Sequence, residues 1–344
     1  MKNNTSNIVP EGKRQPEFQR NMDLESFLMS LNDTLSVSED VLLDELSHPD
    51  KPILMLVGPM RSGTTLMMQW LAQTGLVAYP SNLISRFFKA PIIGAKIQQL
   101  LTDPKYQFRD EFSDIVPGSG FASQNGKTTG FLAPNEFWYF WQQFINSPKS
   151  DSWTDAELAV ALNSDRMLRE LHGLTSAFGK PFATKAMKFN YAIKHLHSLS
   201  KQFVFMHIHR KPAHNMASVL AARQRQYGSI NEWYSFKVPE HHMLKNLSPQ
   251  EQVAGQIYSL NRAATQSFSL LPSANVFDCS YEAFCEQPED IYIQLREKFG
   301  LSLGSHIYDG PAEFNTAKFN PAYGSEEDLQ IIYDATSKII DGCD

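Results

Sequence analysis

Gly58-Pro59-Met60-Arg61-Ser62-Gly63-Thr64-Thr65 is the stretch best suited to chemistry. It lies between a short apolar run, KPILMLV, and a helical pattern, TTLMMQWLAQT, closed by Gly75. A turn in that place points several backbone N–H groups and the positive end of a helix dipole at one spot, which makes an anion site. Arg61 adds a fork of charged donors, so a phosphate-type group is the expected guest. The spacing is close to G-x-x-x-x-G-K-[ST], but Thr64 stands where a lysine would reach the β- and γ-phosphates of ATP or GTP, which demotes a nucleoside triphosphatase. The plain alternative is a structural strand-to-helix turn with an exposed arginine.

The elements around this loop alternate between strands and helices. KPILMLVG reads as a buried parallel strand, and KQFVFMHIHRKPAHNMASVLAAR repeats the unit, with a strand over 203–208 and Pro212 near the next helix start. SANVFDCSYEAFCEQPEDIYIQLREKFG gives a third, with a strand over 275–278 and a helix from about Pro288 to Gly300, and PFATKAM is a shorter strand candidate. This rhythm implies an α/β fold with a doubly wound, mainly parallel sheet and flanking helices. Before it, DLESFLMSLNDTL and SEDVLLDEL predict two short helices, the second capped by Ser38, in an N-terminal extension over residues 1–50 whose first 20 or so residues are polar. Residues 51–344 read as a single domain. Two excursions over the strand ends interrupt it: about 80–150, with the aromatic cluster Phe137, Trp138, Tyr139, Phe140, Trp141 and Phe144, and about 226–250, polar, with Pro239, His241 and His242.

The chain has 344 residues, 42% apolar and 20% charged, as ordinary folded proteins do. Its 31 Lys and Arg against 37 Asp and Glu leave a net charge of −6, so no overall basic field draws it onto nucleic acid or an anionic membrane. Cys279, Cys285 and Cys343 form no C-x-x-C pair, which argues against a disulfide framework or a cysteine-rich zinc site and for a reducing compartment. With no apolar leader pattern and no stretch near the roughly 18 apolar residues of a membrane span, the expectation is a cytoplasmic protein.

The loop resembles that of the sulfotransferases that use 3′-phosphoadenosine 5′-phosphosulfate (PAPS), whose first signature is a strand, a G-x-P-[RK]-S-G-T-T loop and a helix; here Pro59 comes one place early. The resemblance implies a P-loop-like sulfotransferase fold, with PAPS as donor and 3′-phosphoadenosine 5′-phosphate (PAP) as product. By resemblance, Arg61, Ser62, Gly63, Thr64 and Thr65 hold the 5′-phosphosulfate, with Arg61 facing its bridging region. The family's second signature pairs an arginine at a strand end with a serine eight residues later, and Arg210 and Ser218 fit it. The two would grip the 3′-phosphate. Lys185 in PFATKAM resembles a family lysine that neutralises charge near the transferring group. SYEAFCEQPEDIYIQLREKFGL resembles a recurring Y-E-D-L scaffold element. Two departures stand out. Where several members place an acidic base, this chain has Asn82, and toward the C-terminus it offers only Lys318-Phe319 for a basic loop.

Sulfuryl transfer to an alcohol needs the hydroxyl proton removed. Glu136, in APNEFWYFW, is an acid set among aromatics, where desolvation would make it a better base; the alternative is a carboxylate capping a helix that begins near Asn135. His207 and His209 alternate on one face of the second strand, with His209 beside Arg210, and His241 and His242 lie on an excursion that would act as a mobile flap. The catalytic candidates are thus Glu136, Lys185, Arg61 and His209. No metal is expected, since phosphosulfate carries its activation in its own anhydride. The reading is a PAPS-dependent sulfotransferase acting on a small, bulky and apolar alcohol, lipid-like or polyketide-like. An ATP-dependent small-molecule kinase and a non-catalytic nucleotide-binding module are the alternatives.

Overall fold

A computed structural model describes residues 14–45, 51–106, 108, 122–124, 127–147, 153–301 and 308–342. Cys343, the first 13 residues and part of the 80–150 excursion lie outside the described residues. The first α-helix among the described residues is α1 (Met22–Glu45), one continuous helix and so a correction to the two short helices expected. Its sequence holds no Gly or Pro to break the pattern, and Ser38 sits in mid-helix rather than at a cap. Leu28 and Leu43 on α1 join the main core.

Strand β1 (Ile53–Val57) is wholly buried and feeds α2 (Thr64–Thr74). The first excursion carries α3 (Pro91–Thr102), the antiparallel pair β2 (Ala122–Gln124) and β3 (Lys127–Thr129), and α4 (Trp138–Gln143). Helices α5 (Asp155–Ala161) and α6 (Ser164–Phe178) lead to β4 (Phe182–Lys185), and α7 (Ile193–Leu199) leads to β5 (Phe203–His209). Helix α8 (Pro212–Tyr227) follows, then the second excursion with the single turn α9 (His241–Leu244), then α10 (Pro249–Phe268) and β6 (Val276–Ser280). The chain closes with α11 (Tyr281–Glu286), α12 (Pro288–Lys298) and α13 (Glu326–Asp341).

The main sheet has the order β4-β1-β5-β6 with every pairing parallel, so the α/β reading holds. Side-chain alternation divides the core between its faces. Ile53, Met55 and Val57 pack with α3, α6, α7 and the aromatics of α4, while Leu54 and Leu56 pack with α2, α11 and α12. A third cluster joins α8, α10 and α13 to Met60 of the anion loop and to Trp233 and Tyr234 of the second excursion. The loops after β1, β4 and β5 therefore meet at one end of the sheet, the carboxyl edge where ligands of open α/β folds bind.

Candidate active site

The loop after β1 takes its shape from contacts distant in sequence. Gly58 has φ +129°, and a Cβ there would stand 2.5 Å from the Ile208 carbonyl oxygen. The Asn190 side chain clamps it from both sides, accepting from the Gly58 N–H at 2.8 Å and donating to its carbonyl at 3.1 Å. Asn215 Nδ2 donates to the Met60 carbonyl at 2.8 Å. Gly63, at φ +106°, lies against the Tyr281 ring, where a Cβ would come within 2.3 Å of a ring carbon. Gly63 is also the N-cap of α2 and supplies no side-chain acceptor, so the first N–H groups of that helix face the loop. The Ser62 hydroxyl is buried there without a hydrogen-bond partner.

Lys185, at the end of β4, is 5% exposed. Its Nζ donates to Thr65 Oγ1 at 2.8 Å and to Glu136 Oε1 at 3.0 Å. One ammonium thus joins the anion loop to an acid on the first excursion, and Trp141 Nε1 fixes its backbone by donating to the Lys185 carbonyl at 2.9 Å. Glu136 differs from expectation in its surroundings. Its side chain is 52% exposed and ion-paired, not enclosed by aromatics, because Phe137, Phe140, Trp141 and Phe144 turn into the core. Nor does it cap α4, whose N-cap is Phe137 with no side-chain bond. The aromatic run is accordingly core for the most part, with Trp138 left at the surface, 6.1 Å from the Phe236 ring and 4.6 Å from Lys188 Nζ.

Arg210, just past β5, is buried with its guanidinium 4.8 Å over the Tyr281 ring. One nitrogen donates to the Ala317 carbonyl at 3.4 Å, which brings the Lys318-Phe319 segment to this end of the site, while Nε has no partner. Burial lowers the pKa of this arginine; Tyr281 and Glu282 oppose that shift, and the nearby charge of Arg61 adds to it. Two cations close together in a poorly solvated place favour an anion between them. Arg61 itself, at φ +63°, donates through Nε to Ser218 Oγ at 3.3 Å. Its side chain therefore reaches Ser218, and its charge is felt at Arg210.

The histidines stand apart. His207 is a core residue, its Nδ1 2.7 Å from Asp278 Oδ1 and its Nε2 3.0 Å from Asn261 Oδ1. His209 Nε2 is 3.2 Å from Asp278 Oδ2, and that hydrogen bond raises its pKa. Both imidazoles are committed to one carboxylate on β6, and the structure does not join His209 to the Lys185–Glu136 pair. His242 Nδ1 lies 3.2 Å from the Pro239 carbonyl oxygen, and the His241 ring packs 4.5 Å from Trp233. The second excursion is also better fastened than a loose flap: Gln256 donates to the Tyr234 and Phe236 carbonyls, Arg223 donates to that of Ile230, and Val238 and Leu244 are buried. Tyr234 feels the charges of both Arg61 and Glu136, although burial is the main cause of its raised pKa. Sequence reasoning missed Asn190, Asn215, Tyr234 and the contact of Tyr281 with Gly63, since no local pattern marks them.

Several features fit a ligand that carries anionic groups: the glycine cradle, the free Ser62 hydroxyl, the unpartnered Arg210 Nε and two cationic centres, Lys185 and the Arg61–Arg210 pair. Among the described residues no cluster of three or more His, Cys, Asp or Glu is placed to hold a metal ion, and no helix is long and apolar enough to cross a membrane. A comparison with curated proteins finds no match. Solved structures share the fold, among them two mycobacterial sulfotransferases. Sulfotransferase STF9 from Mycobacterium avium is 16% identical and aligns over 95% of this chain and 86% of that one, at a TM-score of 0.58. Sulfotransferase STF1 from Mycobacterium tuberculosis H37Rv is 14% identical over 89% and 81%, at a TM-score of 0.50. Residues 52–304 match the sulfotransferase family, so the chain belongs to that family and is an enzyme, a transferase.

Proposed function

We propose that the protein moves a sulfuryl group from PAPS to the hydroxyl of a small alcohol, releasing PAP. The observation that carries the reading is the Lys185 ammonium, held at once by Thr65 of the anion loop and by Glu136. Bound at the loop, PAPS supplies an activated sulfuryl group. The chain's own residues do the rest. Ser62 and the N–H groups at the start of α2 orient the 5′ end, and Arg61, Arg210 and Ser218 hold the 3′-phosphate. Lys185 keeps a positive charge beside the loop, where it stabilises negative charge on the departing side. Glu136 Oε2, the carboxylate oxygen not bonded to Lys185, accepts the hydroxyl proton of the acceptor. The exposed Trp138 ring and its neighbour Phe236 support an acceptor with an apolar body. The free, buried thiols of Cys279 and Cys285 support a reducing compartment, the cytoplasm.

Isothermal titration with PAP, with ATP, and with ATP plus Mg²⁺ tests the donor assignment. Tight, metal-independent binding of PAP alone is expected, and preference for ATP with Mg²⁺ would replace this reading with a kinase. Transfer from radiolabelled PAPS to a panel of apolar alcohols then tests turnover; PAP binding without any transfer would reduce the protein to a binding module.

A further inference from the structure

Glu136 is half exposed, yet it meets Lys185 at hydrogen-bond distance, so something other than burial must aim it. Its backbone is fixed on both sides by a single residue. Asn135 N–H donates to the Pro80 carbonyl at 2.7 Å, and Asn135 Oδ1 accepts from the N–H of Phe137 at 2.8 Å, an Asx turn that spans Glu136. Phe137 has φ +57°, a left-handed conformation that a bulky residue keeps only when its surroundings enforce it. The other end of the side-chain amide is held as well: Asn135 Nδ2 donates to Asn82 Oδ1 at 2.7 Å, and Asn82 Nδ2 donates to the carbonyls of Thr128 at 3.0 Å and Gly130 at 2.8 Å. Both ends of the Asn82 amide are used in this way, and the stretch 80–83 is knitted to 131–135 by backbone bonds.

We infer that Asn82 and Asn135 are positioning residues that form a two-amide strut aiming Glu136 at Lys185. The inference rests on Glu136 being the general base. Asn82 thereby acquires a role of its own, bracing an acid supplied from 54 residues further along the chain.

Acetylation of lysines by N-hydroxysuccinimidyl acetate, read by mass spectrometry on the full chain without donor, tests the strut. Lys185 is expected to label slowly in the wild type. Asn135→Ala and, separately, Asn82→Ala are expected to raise Lys185 labelling by roughly 3–10-fold, the loss of one hydrogen-bonded restraint. Lys188, also buried but bonded to Gln142 on α4, should not change. In a Glu136→Gln background neither substitution should add anything. Unchanged labelling of Lys185 in a folded variant, or an equal rise at Lys188, would overturn the strut. Wild-type turnover of labelled PAPS by Glu136→Gln would instead overturn Glu136 as the base, an outcome that leaves the labelling pattern in place.

Discussion

Arg210→Ala should weaken binding of PAP by about 1.5–3 kcal/mol, the usual worth of a charged hydrogen bond, and weaken adenosine 5′-monophosphate much less, because that nucleotide lacks the 3′-phosphate. Titration of the variant with both nucleotides decides it, and equal losses would place Arg210 elsewhere. Arg61 donates to Ser218, so its effect is tied to that serine. In a double-mutant cycle on PAP affinity, Arg61→Ala and Ser218→Ala should lose less together than the sum of the two, whereas strict additivity would mean that the arginine swings back to the 5′ end on binding. Glu136→Gln should slow single-turnover transfer by about 10²–10⁴ while PAP affinity stays within a few-fold, the signature of a group that acts on the proton and not on the donor. His209→Gln should leave that step near wild type, since its imidazole is occupied by Asp278.

The strand, loop and helix unit of Ile53–Thr74 is legible in the sequence because everything that defines it is local: an apolar run, glycines at a turn, then helical periodicity. The same holds for Arg210 and Ser218, whose spacing belongs to one strand and the helix after it. The excursions are less legible. An aromatic run has the same composition in a pocket wall and in a core, and only the packing of Phe137, Phe140 and Trp141 against other elements distinguishes the two. Helix α1 looks divided because serines read as caps, although interior serines can bond backward to their own helix, as Ser36 does to the Asp33 carbonyl. That helix carries a prediction of its own. Glu39 of α1 is fully buried and accepts from the N–H groups of Ile92 and Ile93 at the start of α3, beside Glu170 of α6. Burial, then the charge of Glu39, pushes Glu170 up to about 8, and burial raises Glu39 as well. Arg166, bonded to Glu170 and to Asp40, opposes both shifts. A carboxyl whose folded pKa lies above its unfolded one binds more protons when folded, so its contribution is complete below about 4.5 and is lost as pH rises through about 8. Hydrogen exchange over 22–45 should therefore accelerate from pH 5 to pH 8 beyond its intrinsic pH dependence, and Glu170→Gln should remove the excess. An excess that survives the substitution would mean that the pair does not govern the docking of α1.

At the scale of the whole molecule, donor binding and stability are one equilibrium. PAP at about 100 times its Kd should add roughly 2.7 kcal/mol to the folded state, and a chelator should not alter the gain. A gain that requires added Mg²⁺ would count against the donor assignment. The asparagine clamps on the loop after β1 also bear on the order in which the molecule is built. Asn190 reaches Gly58 across 132 residues and Asn215 reaches Met60 across 155, while the Tyr281 ring that confines Gly63 comes later still. During synthesis the first strand and its helix leave the ribosome long before these partners exist, and closing such long loops delays their contacts in refolding as well. The glycines are therefore expected to stay unshaped until the rest of the sheet has assembled around them, so the capacity to hold the nucleotide should emerge in the slowest refolding phase and serve as an internal marker of a completed fold.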